Sequence, residues 1–143
     1  MTPSSVMVTA DENTSIDKFY KKNTELNFSR IPILNDSNIE SYVLKDTILE
    51  HIINNKGKLK LSEIKRPIII SQEYTKIPEL FDELLKKREH ISLVVDQYNT
   101  TLGIVTLEDI IETILGYEIV DETDMVDDMQ VLAKKIKPKL DKT

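Results

Sequence analysis

Gly103-Ile104-Val105-Thr106-Leu107-Glu108-Asp109 joins two hydrophobic periodicities. Leu102, Ile104 and Val105 lead in as a strand, and Leu107, Ile110, Ile111, Ile114 and Leu115 recur at helical spacing. The stretch therefore predicts a strand that runs straight into a helix, with Thr106 at the join and Gly116 as the helix stop. A helix start carries unpaired N–H groups and partial positive charge. Gly103 allows something to approach the strand closely. Asp109 falls in the first helical turn, so a hydroxyl, a carboxylate and bare N–H groups converge there, a setting that suits a polar or phosphorylated ligand. The same Thr-x-x-Asp spacing also reads as a capping box, in which the two side chains satisfy the backbone and nothing else.

Working outward, Thr101–Val105 pairs by pattern with a strand over Ile91–Val95 across a turn at Asp96–Thr100. Before these, Ile77, Leu80, Phe81, Leu84 and Leu85 form an amphipathic helix with Pro78 in its first turn. Pro67-Ile68-Ile69-Ile70 reads as a buried strand. The first half repeats this order: Val6–Val8 as a strand, a helix with Ile16, Phe19 and Tyr20 capped at Thr14 or Ser15, strands over 30–34 and 39–44, and a helix opened by Asp46 or Thr47 and ended near Gly57. Laid about 62 residues apart, the halves match: Ile31 on Leu93, Ile33 on Val95, Ser41 on Gly103, Val43 on Val105, Ile48 on Ile110. The pattern is α/β, β-α-β-β-α twice. One copy leaves a sheet face bare, so two copies packed about a pseudo-twofold axis bury each other. The expected divisions are residues 1–56, 57–117 and a C-terminal tail over 118–143, acidic and then basic.

Composition narrows the function. With 143 residues, 40% hydrophobic and 31% charged, a folded domain is expected rather than disorder. The net charge of −6 disfavours a general nucleic-acid binder. Cysteine is absent, which excludes disulfides, thiolate zinc sites and thiol catalysis, and the two histidines are too few for a His-based metal cage. No apolar run approaches the roughly 18 residues of a membrane span, and the N-terminus lacks the pattern of a signal peptide. No nucleophile with a paired base is visible and the carboxylates have no catalytic spacing, so no enzyme activity is expected. A metal-dependent hydrolase using the acidic tail is the enzymatic alternative.

The order of elements, the strand Ser29-Arg30-Ile31-Pro32-Ile33 and the Gly103–Asp109 stretch together resemble a CBS domain pair. More narrowly, the chain is similar to the CBS pair of the CorC/CNNM family, the hemolysin-like magnesium and cobalt efflux proteins. Met1-Thr2-Pro3, Tyr42–Asp46, His90–Tyr98 and Val105–Glu112 carry that likeness, which covers residues 1 to about 120. The resemblance implies tandem CBS repeats that bind an adenosine nucleotide, typically ATP with magnesium brought by the nucleotide, between the repeats. It also implies a homodimer and a transmembrane transport domain outside this chain, which would place the module at the cytoplasmic face of the cell membrane. A ligand-free dimerisation or scaffold module is the alternative. Two departures bear on the first repeat: Ser41 replaces its glycine, and Thr47 stands where the second repeat has Asp109. Asn99-Thr100-Thr101 replaces the family's glycine-rich turn.

On this reading Thr106 and Asp109 hold phosphate and ribose, since a carboxylate accepts from two hydroxyls at once. Ile70, Ile91 and Ile104 are candidates to sandwich the adenine, with core packing the competing role. His90 and Arg30 are candidates for phosphate, a surface position being the alternative for each.

Overall fold

The computed structural model describes residues 1–25 and 27–122. The part of the acidic-then-basic tail beyond residue 122 lies outside them. In chain order the elements are β1 (Thr2–Pro3), a 3-10 turn (Ser4–Val6), β2 (Ala10–Asp11), α1 (Ile16–Lys22), β3 (Arg30–Asn35), β4 (Asn38–Leu44), α2 (Lys45–Ile53), a second 3-10 turn (Leu61–Glu63), β5 (Arg66–Pro67), β6 (Ile69–Gln72), α3 (Ile77–Lys87), β7 (Ile91–Val95), β8 (Thr101–Thr106) and α4 (Leu107–Glu122). They make two four-stranded sheets, β2-β3-β4-β5 and β1-β8-β7-β6. In each, the first strand of the repeat runs parallel to the second, and the second pairs with the third as a hairpin.

Each sheet is completed by a strand from outside its own repeat. β1, at the start of the chain, joins the second sheet through Thr2 opposite Ile104 and Pro3 opposite Gly103. β5, near the start of the second repeat, joins the first sheet through Arg66 opposite Tyr42 and Pro67 opposite Ser41. The two exchanges are counterparts at nearly the same offset, so the tandem repeat has its pseudo-twofold symmetry in the strand pairing as well as in the sequence. A proline suits both added strands because each is an edge strand. Gly103 is required here: a Cβ would collide with the Thr2 carbonyl oxygen and come within 3.1 Å of Pro3 Cα.

The period-2 alternation of strands sorts their side chains into three cores. Ile31, Ile33 and Val43 face the first repeat's helices with Ile16, Phe19 and Ile48. Val94 and Val105 face the second repeat's helices with Leu80, Leu84 and Ile110. The alternate residues, Tyr42 from the first sheet and Ile91, Leu93, Val95 and Ile104 from the second, meet with Ile68 in a core shared by both repeats. β7 is buried along its whole length because it serves both cores.

Local chemistry sets the ends of these elements. The Ser15 side chain accepts from the Lys18 amide at 3.2 Å and caps α1, with Lys21 and Lys22 in the last turn complementing the dipole. α3 ends in a Schellman pattern, with Arg88 left-handed at φ 54°, its amide donating to Leu85 and the Glu89 amide to Leu84. In the β7–β8 turn, Asp96 Oδ1 accepts from the Tyr98 and Thr100 amides at 2.8 and 2.9 Å, and Asn99 takes the left-handed conformation at φ 64°. Asparagine tolerates that region, so the turn closes without a glycine.

Five expectations need correction. Val6–Val8 is not a strand: Val6 closes a 3-10 turn, and the strand of that repeat is Ala10–Asp11, parallel to β3. Pro67–Ile70 is not one buried strand, because Pro67 pairs with the first sheet, Ile69 and Ile70 with the second, and Ile68 crosses between them. α2 opens at Lys45, one residue before Asp46, with Leu44 at its N-cap and no side chain capping it. Its end is marked by Asn55 at φ 59°, whereas Gly57 lies against Asp17, whose amide donates to the Gly57 carbonyl at 2.8 Å. Finally, α4 does not stop at Gly116 but continues to Glu122. Gly116 has no positive φ, so it continues the helix rather than capping it.

Candidate functional site

A cleft of about 560 Å³ opens where the two repeats meet, within the roughly 300–1,000 Å³ typical of ligand sites. The first repeat contributes the run Asn27, Phe28, Ser29 and Arg30, which leads into β3, with Leu44 and Asp46 at the start of α2. The second contributes His90 and Ile91 at the start of β7, Ile104 and Thr106 from β8, and Glu108 and Glu112 from α4. Thr2 of β1 completes it. Both α2 and α4 therefore start at the cleft, and each brings a helix N-terminus to its wall.

The sequence explains why these groups converge. Phe28 and His90, Ser29 and Ile91, Leu44 and Thr106, and Asp46 and Glu108 are equivalent pairs across the two repeats. A residue at the mouth of one repeat thus meets its counterpart across the pseudo-axis. The walls combine apolar faces (Phe28, Leu44, Ile91, Ile104) with donors (Arg30, Thr106, His90) and carboxylates (Asp46, Glu108, Glu112). Arg30 and His90 supply positive or hydrogen-bonding contact for an anionic group. Among the described residues no cluster of three or more His, Asp or Glu side chains could hold a metal ion. A divalent ion in this cleft would need ligands from a bound molecule as well.

At the join of β8 and α4, Thr106 Oγ1 accepts from the Asp109 amide at 3.2 Å, and Asp109 Oδ2 accepts from the Thr106 amide at 3.5 Å. This is the capping box that the spacing also allowed. The 3.5 Å contact is at the weak limit of a hydrogen bond, which leaves most of the Asp109 acceptor capacity unused. His90 Nδ1 lies 3.4 Å from Glu108 Oε1, so β7 and α4 touch across the cleft floor.

Of the seven residues singled out from the sequence, Arg30, His90, Ile91, Ile104 and Thr106 line this cleft. Asp109 sits one helical step behind Thr106, engaged in the cap. Ile70 is not brought to the cleft: it is 50% exposed on β6 and lines a separate groove beside α3. Its strand is the edge of the sheet beyond β7, two strands away from Ile104. Reading the sequence did not single out Thr2, Asn27, Phe28, Ser29, Leu44, Asp46, Glu108 or Glu112 as site residues. Phe28, Ser29 and Leu44 were within reach of the repeat, as counterparts of His90, Ile91 and Thr106. Thr2 was not, because its place depends on the strand exchange.

At the seam between the repeats, the Tyr42 hydroxyl donates to Glu89 Oε2 at 2.6 Å. Arg66 Nη2 lies 3.7 Å from Glu89 Oε1, and its guanidinium stands 5.9 Å from the centre of the Tyr42 ring. Burial, and then the bond to Glu89, push the Tyr42 phenol up to about 12. Because the folded state holds this proton more tightly than the unfolded chain, the contribution is complete below pH 10 and is lost as pH rises through about 12. Stability is expected to fall by roughly 2–3 kcal/mol across that window. Tyr42→Phe should flatten this alkaline limb, as followed by denaturant unfolding at a series of pH values; an unchanged limb would assign the loss to other groups.

Comparison with known proteins places this arrangement. The family model described as "CBS domain" matches residues 61–116, the second repeat. The magnesium and cobalt efflux protein CorC of Vibrio cholerae is 32% identical over 126 residues, which is 87% of this chain and 43% of that protein. The CBS domain of a bacterial CNNM/CorC family Mg²⁺ transporter, solved in complex with ATP, superposes with a TM-score of 0.75 at 28% identity, covering 81% of this chain and 84% of the other. A CBS domain from Clostridium difficile 630 superposes at 0.72 with 33% identity, covering 82% and 91%. The chain spans less than half the length of the curated relatives it matches. No helix among the described residues is long and apolar enough to cross a membrane.

Proposed function

This chain belongs to the CBS-domain family, in the branch of the CorC/CNNM transporters, and from that premise we propose that it is a regulatory module that binds an adenine nucleotide in the cleft between its repeats. ATP is the favoured ligand, with magnesium arriving on the nucleotide. The observation that carries the reading is the convergence of Arg30, His90 and Thr106 with the apolar Ile91 and Ile104 on one cleft of ligand size. A base fits the apolar walls, and the phosphates fit the cationic and hydroxyl groups near the α4 N-terminus. Asp46, Glu108 and Glu112 would repel a bare triphosphate, so a divalent ion bound to the phosphates relieves that repulsion. The module performs no chemical step. It senses nucleotide for a membrane transport domain outside this chain and sits at the cytoplasmic face of the membrane.

A calorimetric titration with ATP, ADP and AMP, with and without magnesium, tests this. Binding of ATP, tighter with magnesium, is the expected result, and no heat from any of the three would overturn it. The second reading is a ligand-free dimerisation or scaffold module. It is favoured by the capping box, which already engages Thr106 and Asp109 with each other. Thermal unfolding separates the two, because a ligand at a hundredfold its dissociation constant stabilises the folded state by about 2.7 kcal/mol.

The module is proposed to act as a homodimer. Ile48 and Ile110 are used up in their own cores, but Ile53 on α2 is 78% exposed, and Leu49 and Ile111 are half-buried. These helix faces are apolar beyond what one copy covers. Light scattering at roughly tens of micromolar, where a modest interface is populated, should report a dimer; a monomer only would count against the helix faces as the interface.

A further inference from the structure

The cleft holds one of the chain's two histidines. His90 is the last residue before β7, and its carbonyl accepts from the Leu107 amide at 2.8 Å. That bond ties His90 to the first residue of α4, where a helix N-terminus meets the cleft. The ring reaches the same helix, with Nδ1 3.4 Å from Glu108 Oε1. The other charged groups around the cleft are Arg30 from β3, Asp46 from α2 and Glu112 from α4. Asp109 is engaged with the Thr106 amide, and Glu89 is turned to the seam by Tyr42 and Arg66. β1 and β8 bring the uncharged Thr2 and Thr106. The His90 and Glu108 side chains are 45% and 42% exposed. An exposed pair of this kind is worth little, so the ring can change partner when an anion enters.

We infer that binding of nucleotide phosphate is coupled to uptake of a proton at His90, so that the cleft responds to pH as well as to nucleotide. The inference rests on the nucleotide reading and adds a regulator of the same site. Imidazole is the side chain that changes charge between about pH 5 and pH 8. A nearby anion favours its charged form, and a phosphate oxygen is a stronger acceptor for imidazolium than for the neutral ring. Magnesium ATP remains a net anion, so its phosphates take over the ring from Glu108. The sign follows from linkage. The bound state holds the proton more tightly than the empty cleft does, so affinity is highest on the acid side and falls as pH rises through the histidine range.

The test is calorimetric, with magnesium in excess so that the nucleotide itself does not titrate. Proton uptake is counted by repeating the titration in two buffers of different ionisation enthalpy. The parent is expected to bind magnesium ATP roughly three- to tenfold more tightly at about pH 6.5 than at about pH 8, and to take up at least about a third of a proton per nucleotide at about pH 7.5. His90→Gln keeps a polar side chain that does not titrate, at a half-exposed position where no core is opened. It is expected to bind within about twofold of the parent at about pH 8, roughly three- to tenfold more weakly at about pH 6.5, and with no proton taken up. His51→Gln removes the other histidine, which lies on α2 away from the cleft lining with its Nδ1 2.8 Å from the Thr47 carbonyl, and should keep the parent's profile. A parent that binds without taking up a proton overturns the inference. So does a pH dependence that persists in His90→Gln or disappears in His51→Gln. A His90→Gln variant that no longer binds at about pH 8 overturns it as well, because the neutral ring would then already be essential. A parent that binds no nucleotide at any of these pH values overturns the nucleotide reading itself, and the coupling falls with it.

Discussion

Thr106→Ile and Asp109→Ala are each expected to weaken magnesium ATP by roughly 2–4 kcal/mol, about 30- to 1,000-fold in affinity, the scale of charge-assisted or buried hydrogen bonds. Thr106 lines the cleft, and isoleucine there replaces a hydroxyl by a branched chain in the space the phosphates would take. Asp109 stands at the α4 start with acceptor capacity beyond its long contact to the Thr106 amide. Both changes also break the capping box, which costs about 1 kcal/mol of stability. The two effects separate cleanly. A domain stable by several kcal/mol remains folded after losing one, so lost capping alone leaves affinity unchanged. Melting curves without ligand, set beside titrations of each variant, decide the role. Variants that melt lower and bind like the parent make Thr106 and Asp109 a helix cap and nothing more. Asp46→Ala is the control: Asp46 lies at the same cleft, but the α2 start has Leu44 where α4 has Thr106. It is expected to change affinity less than tenfold, a difference below about 1.4 kcal/mol.

Gly103→Val is expected to be the most damaging single change outside the three cores. Even a Cβ at this position runs into the Thr2 carbonyl, and backbone cannot swing aside as a flexible side chain can. β1 must then leave the sheet edge. Overpacking of this kind costs about 1–3 kcal/mol, with the pairing of Thr2 and Pro3 lost in addition. Since Thr2 lines the cleft, the variant should lose nucleotide affinity together with stability. Deleting residues 1–4 tests the cause: in that background Gly103→Val should cost little further, because nothing remains for the side chain to meet. An undiminished cost after the deletion would mean that Gly103 serves the strand itself rather than the approach of β1. The two predictions probe different things, one the chemistry of the α4 start, the other the strand exchange that builds the wall opposite it.

The sequence by itself determined the repeat and most of its elements. A 3.6-residue period at Leu80, Leu84 and Ile110 and a period of two through Ile91–Val95 are local properties of the chain, and local geometry converts them directly into a helix face or a strand face. The offset between halves, visible as Ile31 on Leu93 and Val43 on Val105, fixed the pseudo-symmetry without any structure. The cap at Ser15, the turn at Asp96 and Asn99, and the strand-to-helix join at Thr106 are likewise short-range. Short-range signals also misled where two outcomes share one local pattern. Pro67–Ile70 is apolar enough for a single strand, yet it changes sheets at Ile68. Gly116 looks like a stop, yet a glycine with an ordinary helical φ simply continues the helix.

Only the tertiary structure decided which strand completes which sheet, and so what approaches Gly103. The glycine announced a close neighbour; that the neighbour is Thr2–Pro3 follows from a pairing across about a hundred residues, and such a pairing leaves no periodic trace in two residues of strand. The same exchange sets Arg66 opposite Tyr42, and the fold then brings Glu89 to the phenol from 47 positions away. In the sequence Tyr42 is one more residue of a strand, equivalent to Ile104. Its burial in the core shared by both repeats and its bond to Glu89 arise only when the two sheets pack together. Ile70 shows the converse: its type suited an adenine wall, but the fold sets it half exposed on the edge strand β6, where it lines a separate groove. Side-chain type and local period reach as far as one element and its immediate cap; which elements become neighbours is a long-range balance of burial, and that balance places the site.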